Sequence, residues 1–417
     1  MALNASLTRY DMEWVLTLFG TAIGAGILFL PIQAGLGGIW PMIILTVIIF
    51  PLTYYSHRGI TRLVASNETA TDITGVVEQD LGRNAGFIVS ILYFLSIITI
   101  CVGYATGVTN IVSSFLENQL GMDSISRPIL TGILLTGLTG VILAGEKVVV
   151  KVTSIMVYPL IAILFALSLY MIPYWNFSMF TAPFDGGLVA KNLLLTFPVL
   201  VFAMNFSPIC SALGRNYREQ ADNAEAAVAK IDRVVFWNSL ILLVFVMFFV
   251  FSIVLSQTPE SMVAAKANNI DVLTMISLQA HEPWLKFLIP LVAFIAIVSS
   301  YFGHFIGTRE GLDGMIYRVA TWSADSDAKA RFNHKKLRRY TTIGMIIGLW
   351  LLAVVNPPIL KIIGAMSAPI IALYCYIMPV MLMKRVPRLA IYRTRWAALV
   401  FLFGLVTIVG YGVAEFL

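Results

Sequence analysis

Apolar residues run along this chain in blocks of about 20, the length a helix needs to cross a bilayer core roughly 30 Å thick, and short polar connections separate the blocks. They predict helices near 12 to 36, 39 to 60, 86 to 116, 128 to 145, 147 to 172, 190 to 213, 232 to 256, 284 to 308, 339 to 356, 358 to 384 and 394 to 416. The fold class is therefore an all-α polytopic membrane protein of eleven transmembrane helices in a single domain over 1 to 416. Spans 4 and 5 share the shortest connection, around Gly145, Glu146 and Lys147. Two connections carry a periodicity of their own. Between spans 2 and 3, Ile73, Val76, Val77 and Leu81 fall at helical spacing, which predicts an amphipathic helix over 71 to 82 along the inner surface. Between spans 7 and 8, Thr258 and Pro259 form a helix-start signal ahead of Met262, Leu273, Ile276 and Leu278. That outer segment reads either as a lid over an access path or as a surface loop with an amphipathic turn.

Span 1 contains GTAIGAGILFLP, residues 20 to 31. Each glycine inside a helix costs about 1 kcal/mol relative to alanine, so Gly20, Gly24 and Gly26 together point to an interruption. Unwound backbone in a bilayer survives only against protein or a water-filled cavity, so a break marks a site. The alternative is a Gly-rich helix packed closely on its neighbours. Span 6 supplies a second discontinuity, FAMNFSP, where Pro208 removes a hydrogen bond and Asn205 and Ser207 can satisfy freed carbonyls. Spans 1 and 6 open successive five-helix blocks, and interrupted helices in corresponding positions indicate inverted repeats, here 11 to 172 and 190 to 384, with 394 to 416 outside them.

In that frame the second halves of spans 1 and 6 both present positive N-terminal ends, and a carboxylate would bind N–H groups around Gly24, Ala25, Gly26 and Ile27. The C-terminal ends around Thr21, Ala22 and Ala203 would accept from the ammonium of an amino acid. Asn205, Ser207 and Tyr104 of span 3 are the side chains left to select among substrates, and small polar groups favour a small polar one.

Composition narrows the classes. Residues are 59% hydrophobic and 12% charged, against about 25% charged in soluble domains. Cys101, Cys210 and Cys375 lie far apart in apolar surroundings, and His57, His281, His304 and His334 have no metal-ligand spacing, so neither a disulfide framework nor a metal or other cofactor is expected. No nucleotide-binding Gly-Lys-Ser/Thr loop is present, which argues against direct ATP drive. Asp11 and Glu13 precede the first apolar segment, so no cleavable signal peptide is expected. With the N-terminus inside, 23 of the 28 Lys and Arg fall on inner segments and five outside, which places the C-terminus in the periplasm.

Ionisable groups within spans are functional candidates by default. Ser299 and Ser300 lie about 22 Å below Trp284 at 1.5 Å per residue, past the midplane, with His304 deeper. Lys151 enters span 5 from the opposite direction to a similar depth. His304 or Lys151 could carry a coupling proton; a structural hydrogen bond and snorkelling to headgroups are the respective alternatives. Glu13 is read as a stabilising group at the start of span 1.

At these motifs the chain resembles the bacterial hydroxy and aromatic amino acid permease family, in its serine/threonine branch. The matching stretches are GTAIGAGILFLPIQAG, FPLTYYSHRGITR, GEKVVVKVTSIMVYP, FSP in span 6, GHFIGTREG in span 8 and APIIALYCYIMP in span 10. The resemblance implies a LeuT-like five-plus-five fold with one extra helix and a proton-coupled importer of L-serine or L-threonine in the bacterial inner membrane. Two positions differ from the serine branch: Phe206 stands where a histidine is expected and Ser299 where a lysine is expected. Phe206 would admit a more apolar substrate. In LeuT-like transporters a sodium ion or a positive substitute sits between spans 1 and 8, so Ala22, Ser299 and Ser300 are the alternative, a sodium site.

A passive channel would need a continuous polar pore, whereas polar residues here cluster at the breaks. A membrane-embedded enzyme would need a His/Asp/Glu cluster or a nucleophile-base pair, and neither is apparent. A sensor would need a signalling module.

Overall fold

The computed structural model describes residues 7–67, 72–144, 146–180, 185–280, 282–322 and 332–416. Gly145, in the connection between spans 4 and 5, lies outside them, as does His281. The described chain is helical with no strand: α1 (Arg9–Ala22), α2 (Ala25–Gly37), α3 (Ile39–Ala65), α4 (Ile73–Leu81), α5 (Arg83–Asn118), α6 (Arg127–Leu143), α7 (Glu146–Tyr170), α8 (Gly186–Ala203), α9 (Ser207–Gln220), α10 (Ala224–Ser256), α11 (Pro259–Ala267), α12 (Val272–Gln279), α13 (Pro283–Ala320), α14 (His334–Val354), α15 (Ile359–Arg385) and α16 (Ala397–Phe416).

Among the described residues nine helices are long and apolar enough to cross a membrane, or ten when α1 and α2 count as one broken span. The remaining expected span, 128 to 145, is α6, a 17-residue helix that falls just short of that length. The apolar pattern predicts that span 8 ends at 308; the helix continues to Ala320, and its last turns make polar contacts such as Thr341 Oγ1 donating to Asp313 Oδ1 at 2.5 Å.

Helix starts follow local chemistry. Thr8 and Asp11 form a capping box: Thr8 Oγ1 accepts from the Asp11 N–H at 3.1 Å and Asp11 Oδ2 accepts from the Thr8 N–H at 2.9 Å. This corrects the role expected for Glu13, which instead pairs with exposed Arg9 at 3.2 Å. Gly38 and Gly82, at φ +78° and +89°, make the sharp turns into α3 and α5 that other residues would resist. The amphipathic helix over 71 to 82 is α4: Asp72 caps it, and Ile73, Val76 and Val77 are buried while Leu81 is exposed. Ion pairs from Glu78 to Arg318 (3.1 Å) and from Asp80 to Arg388 (2.5 Å) fasten it to α13 and to the segment after α15.

The interior is one continuous apolar core in which α5 lies along α13, α3 along α10 and α2 along α8. The outer segment forms two short helices, α11 and α12, with Met262, Leu273 and Ile276 buried and Leu278 exposed. α15 departs from the regular pattern with two π turns, Ile363–Ser367 and Ala372–Ile377, a distortion that frequently accompanies a functional site.

Candidate functional site

Span 1 is broken between Ala22 and Ala25, and the two halves diverge by 57°. The ladder of α1 closes with the Ile23 N–H on the Phe19 carbonyl at 3.1 Å, so the carbonyls of the last turn, Gly20 to Ala22, are left at its negative end. On the other side Gly24 offers α2 no side-chain cap. The Ile27 N–H turns back to the Gly24 carbonyl (3.2 Å), which leaves the Ala25 and Gly26 N–H groups at a positive helix end, the arrangement that binds anions.

Two glycines here are required by close approach. A Cβ on Gly24 would lie 2.5 Å from Ser300 Oγ and 2.8 Å from Tyr104 Oη; one on Gly26 would lie 2.6 Å from the Ala203 Cα. Thus α2 touches α8 backbone to backbone, and Ser300 and Tyr104 cover the break. Ser300 Oγ donates to the Ile23 carbonyl at 2.8 Å. Its own carbonyl bonds His304 Nδ1 at 2.8 Å, and the His304 ring stands edge-on to Tyr104 with centroids 5.2 Å apart.

Span 6 breaks over Met204, Asn205 and Phe206. Here the positive end of α9 is not open as expected, because its donors are already engaged. The Phe206 N–H donates to His57 Nε2 (3.1 Å), the Ser207 N–H to Asn205 Oδ1 (3.2 Å) and the Ile209 N–H to the Phe206 carbonyl (3.3 Å), while Pro208 has none. Ser207 Oγ also donates to Asn205 Oδ1 (2.6 Å) and is bonded to Tyr374 Oη from the second π turn of α15.

A cavity of about 1320 Å³ leads to this point from the end that carries α4. Exposed Glu13 and Arg215 stand on its walls, and Gly20, Thr21, Pro208, Ser299, Ser300 and His304 line it. Thr21, whose hydroxyl bonds the Thr17 carbonyl at 2.8 Å, is half-buried. Ala22, Gly24, Ala25, Gly26, Tyr104, Ala203, Asn205, Phe206 and Ser207 are buried and do not line the cavity. Ser299 Oγ bonds the Ala296 carbonyl of its own helix at 3.2 Å. Lys151 falls within α7, and its side chain lies outside the described residues. On the opposite face Asn192 Nδ2 holds the Gly37 carbonyl (3.2 Å), and Asn269 joins the α11–α12 connection to Asn356, Pro357 and Ile359.

The sequence reading missed His57 and Tyr374. Both carried a usable signal, an ionisable or hydroxyl side chain within an apolar span. Among the described residues no group of three or more His, Cys, Asp or Glu could hold a metal ion.

The profile of the tryptophan/tyrosine permease family matches residues 12–386. The chain belongs to that family. It is an amino acid transporter and not an enzyme. Among curated proteins, the serine transporter SdaC of Escherichia coli strain K12 is 39% identical over 391 residues, which is 92% of this chain and 90% of that protein. SdaC of Shigella flexneri is 39% identical over 392 residues, with the same coverage of each chain. Two solved structures share the fold at low identity. MhsT in complex with L-phenylalanine has a TM-score of 0.58 at 12% identity over 98% of each chain. A manganese transporter of Eremococcus coleocola reaches 0.61 at 15% identity over 97% of this chain and 85% of its own. The permease therefore has the LeuT-like fold that the family resemblance implies.

Proposed function

We propose that this permease imports L-serine, or L-threonine, across the bacterial inner membrane by proton-coupled symport and alternating access. The observation that carries the reading is 39% identity to a serine transporter over nine-tenths of both chains, joined to a broken span 1 whose unclaimed N–H groups suit an amino acid carboxylate. We take 11 to 172 and 190 to 384 as inverted repeats, 394 to 416 as an added helix, and α6 as the eleventh crossing. The excess of Lys and Arg on the α4 side supports a cytoplasmic N-terminus, a periplasmic C-terminus and an inward-open state.

The carboxylate sits on the Ala25 and Gly26 N–H groups, and the ammonium faces the carbonyls of Thr21 and Ala22 and of Ala203. Tyr104, Asn205, Phe206 and Ser207 bound the side-chain space. His304 lines the cavity and touches Tyr104, which itself abuts Gly24, so a proton on His304 would favour the bound carboxylate. Lys151 remains the second proton candidate. The sodium reading has its own support, since Ser299 and Ser300 line the cavity and Ser300 Oγ lies 2.8 Å from the Ile23 carbonyl.

Uptake of labelled L-serine into proteoliposomes, with inward proton and sodium gradients compared at matched potential, tests the reading. Proton-driven accumulation is expected. Sodium-driven accumulation would move the ion to Ala22, Ser299 and Ser300, and accumulation of another amino acid in place of serine or threonine would overturn the substrate.

A further inference from the structure

His57 is buried in α3 against the break between α8 and α9, and the cluster around it cannot be satisfied in any neutral form. Its Nδ1 is 2.9 Å from the Thr53 carbonyl oxygen, which can only accept, so Nδ1 carries the proton. Nε2 is then an acceptor and takes the Phe206 N–H at 3.1 Å. The same Nε2 faces Asn205 Oδ1 at 3.3 Å, an oxygen that already accepts from the Ser207 N–H and hydroxyl. Two lone pairs therefore oppose each other. Turning the Asn205 amide would set its NH2 against the Ser207 N–H. The other tautomer would accept at Nδ1 from Ser56 Oγ (3.1 Å) but would oppose Thr53 and Phe206 at once.

One added proton moves the conflict from Asn205 to Phe206, whose N–H then faces a donor. An imidazolium donates from Nε2 to Asn205 Oδ1 and releases the Phe206 N–H, while its ring stays stacked on the Phe206 ring at 3.9 Å and 23°. The released N–H is one of the three donors whose engagement closes the positive end of α9 in the neutral state. We propose that His57 is a proton-binding positioning residue, and that its protonation opens the α9 end to the carboxylate of the transported amino acid. This rests on the proton-driven reading.

The surroundings leave this role to His57. Tyr374, Cys375 and Tyr376 approach from α15, the first bonded to Ser207 and the other two reaching Ser56. Cys210 of α9 donates to the Phe206 carbonyl at 3.5 Å. The next charges on α3, Arg58 and Arg62, both engage Asp232 of α10, and no charged side chain among the described residues interacts with the ring.

The test is His57→Gln, whose amide oxygen can still accept the Phe206 N–H but cannot be protonated. H57Q holds the α9 end closed at every pH, so its proteoliposomes should exchange L-serine more slowly than the unmodified protein, without the rise that acidification gives the unmodified protein, and should not accumulate serine under an inward proton gradient that drives accumulation by the unmodified protein. Unaltered accumulation and pH profile in H57Q would overturn the role of His57 alone. No proton-driven accumulation by the unmodified protein would overturn the proton reading, and this role with it. If H57Q does not fold, nitrogen-15 histidine NMR of the unmodified protein decides, with signals assigned through H281Q, H304Q and H334Q. His57 should pass from the Nδ1–H tautomer to the doubly protonated form as the pH is lowered with L-serine present. A neutral ring throughout would overturn the proposal.

Discussion

The Ser300 hydroxyl donates to the Ile23 carbonyl over 2.8 Å and so ties α13 to the break in span 1. Ser299, one residue away, spends its hydroxyl on its own helix. Ser300→Ala should cost about 0.5–1.5 kcal/mol of stability by removing a buried bond, and should weaken L-serine binding. Ser299→Ala should change neither by as much. If sodium drives transport, Ser299→Lys should abolish its stimulation while binding survives. Thermal unfolding and equilibrium binding of each variant check these outcomes.

Gly24 and Gly26 should fail differently when given a methyl group. At Gly24 the nearest obstacles are two hydroxyls, Ser300 Oγ and Tyr104 Oη, with the Ser300 Cβ at 2.9 Å behind them, so Gly24→Ala should lose less stability than Gly26→Ala but most of its uptake. At Gly26 the obstacle is the Ala203 Cα, which cannot rotate away. Gly26→Ala should therefore cost the full overpacking penalty of about 1–3 kcal/mol. Detergent unfolding curves alongside uptake separate the two.

Asp232 holds two guanidinium groups. Arg58 binds it through two bonds of 2.8 Å, and Arg62 through Nε at 2.8 Å and a further contact from NH2. Removing one partner of a buried pair costs about 3–5 kcal/mol because a charge is stranded. Asp232→Ala strands two and should reduce the melting temperature more than Arg58→Ala, which leaves the Arg62–Asp232 pair intact. Equal losses in the two variants would contradict this.

Much of this architecture could be read from the sequence, and the limits have physical causes. Gly20, Gly24 and Gly26 pointed to the first break, although close helix packing also explains glycines in an apolar span, as Gly26 against Ala203 shows, and Pro208 with Asn205 pointed to the second. Which helix end stays open could not be read, because that depends on His57 of α3 reaching Phe206, 149 positions away. Tyr374 carried a signal as a hydroxyl within an apolar span, but its aim at Ser207 depends on a π turn that no local pattern announces. Glu13 was assigned an end-stabilising role that Asp11 fills, since only Asp11 stands three residues after Thr8.

Asn269 adopts a left-handed conformation, φ +53°, and its side chain donates to Asn356 Oδ1 and the Pro357 carbonyl while accepting from the Ile359 N–H. Asn269→Gly keeps that backbone accessible but removes all three bonds. The α11–α12 face should then open more often, and a cysteine placed at Gln33 beneath it should react faster with an impermeant thiol reagent, in a background lacking the native cysteines. An unchanged labelling rate would show that Asn269 does not hold this face shut.

The most direct test of the central claim, that backbone groups at the span 1 break recognise the amino acid carboxylate, is competition for bound labelled L-serine on the unmodified protein. L-serine and L-threonine should displace the label, whereas L-serine methyl ester, which keeps the ammonium and hydroxyl but has no carboxylate, should not. Displacement by the ester at the same concentration as L-serine would contradict the account.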